Sequence, residues 1–170
     1  MSAPTFATPG PDDVAPLAAL FRRCFTDTFG HLYRPHDLAA FLGQFTEASW
    51  REEVADPGFA FCLVRVAGAA VGFAKLAPMA LPVTPAGPAI ELRQFYLLAD
   101  QHGTGLAQRL MAWTIEAARA RGARELFLSV FVDNPRARRF YERFGFERVG
   151  AYAFMVGSHA DEDDLMRLVL

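Results

Sequence analysis

FYLLADQHGTGLAQRLM, Phe95–Met111, sets an apolar run, a polar loop with two glycines one residue apart, and the start of an amphipathic segment in direct succession. The order predicts a strand ending near Leu98, a tight loop, and a helix from about Gly105. The first turn of a helix leaves backbone N–H groups without partners and carries the positive end of the helix dipole. Gly103 and Gly105 let such a loop curl until those N–H groups converge on an anion. The spacing is not the G-x-G-x-x-G of a dinucleotide site, and the G-K-[ST] of a P-loop is absent. Taken alone, a plain sharp turn explains the two glycines equally well.

Upstream, IELRQFYLL (Ile90–Leu98) predicts the strand itself. Before it, the proline-rich APMALPVTPAGP (Ala77–Pro88) reads as a surface excursion. FAFCLVRV (Phe59–Val66) and AAVGFAKL (Ala69–Leu76) predict a hairpin around the turn AGA. Near the N-terminus, PTFATPGPDD predicts a short strand and a helix start, with Asp12 or Asp13 in the first turn. Val14, Leu17, Ala18, Phe21, Cys24 and Phe25 then recur at helical spacing. TDTFGHLYRP (Thr26–Pro35) reads as an aromatic-rich loop. Helical segments follow around His36–Leu42 and Glu47–Ala55, the second ended by Asp56-Pro57-Gly58.

Downstream, the helix from Gly105 runs to about Arg121 and Gly122 stops it. ELFLSVFV (Glu125–Val132) reads as a buried strand and Pro135–Phe144 as a short helix ended by Gly145. FERVGAYAFM (Phe146–Met155) and DLMRLVL (Asp164–Leu170) are the last strands, with the acidic SHADEDD as the charged tip between them. The expected fold is α/β with a mixed sheet, because hairpins demand antiparallel pairs and helical crossovers favour parallel ones. No repeat or linker divides the chain, so a single domain over residues 1–170 is expected.

The bulk composition narrows the function classes. With 52% hydrophobic and 21% charged residues the chain is globular rather than disordered. A net charge of -2 without a basic block gives no reason to expect nucleic acid or an anionic membrane as a partner. Cys24 and Cys62 form no metal-ligand spacing and read as buried thiols. The N-terminal MSAPTFATPGPDD has no basic flank followed by an apolar stretch, so no export signal, no membrane span and a cytoplasmic location are expected.

The second informative stretch is VDNPRARRFYERFGF, Val132–Phe146. Asn134 fits a helix N-cap with Pro135 at the first helical position. That reading leaves Tyr141, Arg138, Arg139 and Arg143 on the same short helix unexplained. Together the two stretches resemble the GCN5-related N-acetyltransferase (GNAT) superfamily. The Q/R-x-x-G-x-G/A element is matched by His102-Gly103-Thr104-Gly105-Leu106-Ala107, with His102 departing at the Q/R position. N-x-x-A-x-x-F-Y-E-x-x-G-F is matched by Asn134, Ala137, Phe140, Tyr141, Glu142, Gly145 and Phe146. FTDTFG and YAFMVGSHADEDDLMRLVL are further similar to the PaiA-type, polyamine-acetylating branch, a weaker likeness than the two motifs.

The resemblance implies a mostly antiparallel central sheet flanked by helices and splayed beside an acetyl-CoA cleft. It implies acetyl transfer from acetyl-CoA to a primary amine by direct attack, with a polyamine such as spermidine or spermine as candidate acceptor and no metal. The pyrophosphate would rest on the backbone from Gly103 to Ala107. The pantetheine arm would pair along Phe95, Tyr96 and Leu97, one of whose N–H groups would serve as an oxyanion donor. Asn134 and Arg143 join the cofactor-binding set, with Arg138 and Arg139 as rivals for the remaining phosphate. Glu91 is the candidate base, directly or through water, and an ion pair with Arg93 is its competing reading. Alternation places Glu91, Arg93, Phe95 and Leu97 on one face.

Tyr141 is the candidate donor to the departing thiolate. Full proton transfer from a phenol to a thiolate is uphill by roughly 1.5 pKa units, about 2 kcal/mol, so a strengthening hydrogen bond is the expected role. Asp27, His31 and Tyr33 are candidate acceptor-binding residues, and the acidic segment Asp161–Asp164 reads either as a cation attractor or as a solvated tip. A homodimer stays open. The alternative to an enzyme is a module that binds acetyl-CoA as a sensor without transferring the acetyl group.

Overall fold

In the computed structural model, which describes residues 3–170, the chain forms seven strands and five helices. They run β1 (Thr5–Ala7), α1 (Val14–Phe29), α2 (Pro35–Gly43), α3 (Glu47–Ala55), β2 (Ala60–Val66), β3 (Ala69–Ala77) and β4 (Ala89–Leu97). The chain continues with α4 (Leu106–Ala120), β5 (Glu125–Phe131), α5 (Pro135–Arg143), β6 (Glu147–Val156) and β7 (His159–Val169). All seven strands join one sheet in the order β1-β2-β3-β4-β5-β7-β6. Every neighbouring pair is antiparallel except β4 and β5, as the hairpin and crossover pattern predicts.

Helix α1 forms because Val14, Leu17, Phe21, Cys24 and Phe25 make an apolar stripe, all buried. It runs four residues past the expected end, through Thr26–Phe29. Phe29 continues the stripe, with its ring 5.3 Å from Phe25, and Phe131 of β5 receives it at 6.3 Å. Asp27 therefore lies on a helix and not in a loop. Phe21 gathers Phe45, Trp50 and Tyr96 around it, which packs α1 and α3 onto the β3–β4 part of the sheet. Lys75 is buried in the same place, its Nζ 2.7 Å from Glu53 and 4.7 Å from the centre of the Trp50 ring. The opposite face holds α4 and α5, where Phe140 packs on Phe95 at 5.6 Å.

Two local irregularities shape β4. Lys75 pairs with Gln94 but Leu76 pairs with Leu92, so Arg93 is an extra residue, a β-bulge. The bulge overturns the simple alternation. Glu91, Gln94 and Tyr96 face the α1–α3 side, whereas Phe95 and Leu97 face α4 and α5. Gly72 faces Leu97 across the ladder, and a Cβ there would lie 2.7 Å from a Leu97 methyl and 2.8 Å from the Tyr96 carbonyl oxygen.

The acidic segment corrects a second expectation. SHADEDD is not a hairpin tip. Strand β7 begins at His159, the two-residue tip is Gly157-Ser158, and Asp161, Asp163 and Asp164 are all buried. Asp37, in the first turn of α2, accepts from the Ser158 N–H at 3.0 Å. That bond holds the tip against α2 and pulls the Asp37 pKa below the usual carboxylate range. Gly72→Ala is expected to cost about 1–3 kcal/mol by overpacking the β3–β4 contact. Urea unfolding with an unchanged midpoint would show that the strands simply move apart.

Candidate active site

The parallel pairing of β4 with β5 covers only Ala89↔Glu125, Ile90↔Leu126 and Glu91↔Phe127. Beyond it β4 continues to Leu97 beside β3, and β5 continues to Phe131 beside β7. The two central strands thus separate into a V inside the sheet. Since the Leu98 N–H donates to Val71 of β3 at 2.9 Å, the alternating backbone directs Phe95 and Leu97 away from β3, toward the gap. Unpaired backbone groups in a sheet interior require water or a ligand. An extended chain bearing amides fits this edge.

The loop Ala99–Gly105 stands at the open end of the V, between β4 and α4. Gly103 and Gly105 adopt φ of +78° and +87°, the left-handed region that disfavours side chains. No side chain caps α4, so the N–H groups of Leu106, Ala107 and Gln108 have no partner within the helix. Thr104 donates its hydroxyl to the Gln101 carbonyl at 2.7 Å and closes the loop. His102 does the same at the other end, its Nε2 3.1 Å from the Leu97 carbonyl oxygen. Burial and the nearby Arg136 guanidinium lower the His102 pKa, so the ring is neutral at pH 7 and donates from Nε2. At the Q/R position the chain therefore offers a loop clasp rather than a cation. The residue sequence reasoning missed is Arg136, exposed in the first turn of α5 and within electrostatic range of this loop.

On the α4–α5 side of the V stands Tyr141, buried against Phe95, Phe140 and Phe146. Burial raises its pKa, so the phenol stays protonated. Asn134 caps α5 by accepting from the Ala137 N–H at 3.2 Å. Arg138 is committed to Asp164 at 3.3 Å, which removes it as a phosphate ligand, while Arg139 and Arg143 are exposed. Tyr96 turns its ring to the other face, onto Phe21 and Phe73, and its backbone pairs with Phe73 of β3.

Glu91 is not a free carboxylate beside the cleft. It is 5% exposed, pairs with Arg93 at 3.0 Å, and accepts from the N–H groups of Ala80 and Leu81 at 2.8 and 3.3 Å. Glu125 on β5 accepts in the same way from Ala86 and Gly87. The two carboxylates pin the proline-rich excursion to the sheet. The ion-pair reading of Glu91 matches this geometry, with three donors on Oε2 and one on Oε1.

On the α1–α3 side, the candidates Asp27, His31 and Tyr33 separate. Asp27 is exposed and faces Arg23 at 3.7 Å one helical turn away, and His31 is exposed. Tyr33 is buried and donates its hydroxyl to Asp161, whose other oxygen lies 3.1 Å from His159 Nε2. Both cysteines are buried, and burial outweighs the adjacent Arg23 charge at Cys24, pushing Cys24 to about 11 and Cys62 to about 12. No helix of the described residues is long and apolar enough to cross a membrane.

The family model of the acetyltransferase (GNAT) family matches residues 15–146. An uncharacterised N-acetyltransferase of Mycobacterium tuberculosis is 33% identical over 155 residues, covering 91% of this chain and 96% of the relative. A second, of Lactobacillus delbrueckii subsp. lactis, is 30% identical over 162 residues, covering 93% and 92%. Among solved structures, the PaiA N-acetyltransferase of Thermoplasma acidophilum in complex with coenzyme A superposes with a TM-score of 0.80 at 15% identity, over 99% of this chain and 100% of the other, a likeness of fold.

Gly105→Val would force a β-branched residue into the left-handed region at about 1–3 kcal/mol of strain. The expected result is loss of the acetyl-CoA-induced rise in melting temperature, with a cooperative unfolding transition retained. A full ligand shift in the variant would reduce the loop to a turn.

Proposed function

The chain belongs to the acetyltransferase (GNAT) family and is an acetyl-CoA-dependent N-acetyltransferase, and from that premise we propose that its acceptor is a primary amine, with a polyamine as the leading candidate. The observation that carries this reading is the V between β4 and β5, open to a different set of groups on each side. Backbone from Phe95 to Leu97 and from Gly103 to Ala107 holds the thioester donor on one side. The other side presents Tyr33 with Asp161, and Asp163, an acidic lining that favours a cation over a neutral acceptor.

In the reaction the amine nitrogen attacks the acetyl carbonyl carbon and the carbon–sulfur bond breaks. The Leu97 N–H, on the open edge of β4, is the donor we assign to the developing oxyanion. Tyr141 hydrogen-bonds to the leaving sulfur as negative charge builds there. Glu91 acts at a distance, holding the Pro78–Pro88 segment and Arg93 in place. Arg136, with Arg143 farther along α5, supplies positive charge toward the phosphates. A cytoplasmic site of action belongs to the same reading.

Release of CoA thiol from acetyl-CoA over a panel of amines tests it. Spermidine, spermine, small monoamines, an aminoglycoside and N-terminal peptides make up the panel. Turnover confined to the polyamines is expected. Turnover confined to another member replaces the acceptor, and none with any amine despite acetyl-CoA binding favours a sensor. Tyr141→Phe is expected to lower kcat by 10-fold or more while the acetyl-CoA-induced stability shift persists. Unchanged kcat removes the phenol from the mechanism.

A further inference from the structure

Strand β7 places Asp161 and Asp163 on the face that looks toward α1 and α2, because residues two apart share a side. Asp161 is satisfied by Tyr33 and His159. Asp163 is 6% exposed and sits opposite Phe131 of β5, two residues from Ser129 on the same face of that strand, whose hydroxyl favours the charged carboxylate. Across the gap on β4, the bulge at Arg93 turns Gln94, which pairs with Lys75 of β3, onto this same face. Gln94 is 7% exposed, and its Oε1 is buried without a hydrogen-bond partner among the described residues. A buried carbonyl oxygen with nothing to accept from is costly in a folded protein. The Asp163 charge reaches Tyr96, two residues along the same face of β4, so a carboxylate and an unmatched amide oxygen lie on one side of the sheet at the gap, which suits a ligand group that only donates. An ammonium ion is such a group.

We propose that Asp163 is the proton acceptor for the incoming amine, with Gln94 Oε1 as its companion ligand and Asp161 as the fixed negative charge that draws the cation in. The assignment rests on the amine-acceptor reading above and gives it the base that Glu91 does not supply. Burial and the charges of Asp161 and Asp164 raise the Asp163 pKa to about 7, opposed by the Ser129 hydroxyl. Each neighbouring element contributes a known group. Ser129 comes from β5, Tyr96 and Gln94 from β4, Tyr33 from the turn after α1, and Tyr152 from β6. Asp161 and Asp164 come from β7 itself, the latter turned to the other face and paired with Arg138 and Arg148.

Of the two protons the ammonium nitrogen loses, one passes to the Asp163 carboxylate and then to solvent. The other ends on the sulfur released when the carbon–sulfur bond breaks. Acid and base stand on opposite sides of the V, Tyr141 with α5 and Asp163 with β7.

Asp163→Asn tests this, read as kcat/KM against pH, as melting temperature against pH, and as acetyl-CoA binding. General-base loss predicts a fall of roughly 100-fold or more at pH 7. The deficit should shrink by roughly tenfold per pH unit above that, as solvent takes over deprotonation of an amine whose pKa lies near 10. Stability supplies the opposite sign. The folded pKa lies above the unfolded value, so the wild-type carboxylate loses stability as pH rises from about 4 to about 7. The variant should therefore melt higher than wild type at pH 8, with the gap closing as pH falls toward about 4, and with acetyl-CoA binding intact. A structural carboxylate would lower the melting temperature at pH 8 and give a deficit flat in pH, and either result overturns the assignment. Should the variant not fold, Ser129→Ala carries the test. Loss of the hydroxyl moves the acid limb of the wild-type profile to higher pH, and an unmoved limb overturns the assignment. Wild-type protein that acetylates no amine overturns the functional reading and this assignment together, whereas an active wild type with an equally active Asp163→Asn overturns the assignment alone.

Discussion

The parallel pairing of β4 with β5 stops at Glu91 and Phe127, and the rest of the molecule is arranged around that separation. A sheet normally hides its backbone donors and acceptors by pairing them, and an unpaired edge in its middle is unstable unless something else satisfies it. Here the gap is held open by construction. Strand β4 stays with β3 through Leu97, where Gly72 allows a close approach. Strand β5 stays with β7 through Phe131. At the closed end Glu91 and Glu125 tie the proline-rich excursion across both strands, so the point of divergence is fixed.

Once the gap exists, each side inherits a different chemistry from the helices that cover it. The face with α4 and α5 brings a helix N-terminus free of side-chain caps, a left-handed glycine pair and a buried phenol kept in its donor form. The face with α1, α2 and the β6–β7 tip brings carboxylates. Asp37 holds the tip in place through Ser158, and so positions Asp161 against Tyr33. Anions are welcome on one side and cations on the other, which suits a transfer from a phosphorylated carrier to an amine.

Local sequence rules served well wherever a residue's neighbours in the chain are also its neighbours in space. The Asn134 cap, the two left-handed glycines and the periodic stripes of α1 and α4 belong to this kind. They failed where one inserted residue or one distant partner changed the geometry. A strict alternation put Glu91 and Phe95 on one face, but the extra residue at Arg93 sends them to opposite faces. The acidic run read as a solvated tip because charge ordinarily avoids the interior. Its carboxylates are buried because Tyr33, Ser129, Arg138 and Arg148 come to them from four other segments.

By itself the sequence determined the α/β class, the order of elements, the loop before α4 and the family resemblance. These depend on hydrophobic period, glycine stereochemistry and capping, all of which act over a few residues. The tertiary structure alone decided which carboxylate is tied up by donors and which one is buried beside like charges. Glu91 and Asp163 are both buried strand carboxylates. What separates them is the set of donors brought from elsewhere, two backbone N–H groups and a guanidinium for Glu91, against a single hydroxyl and two like charges for Asp163. Electrostatic environment is a property of three-dimensional neighbours, and no reading of spacing along the chain contains it.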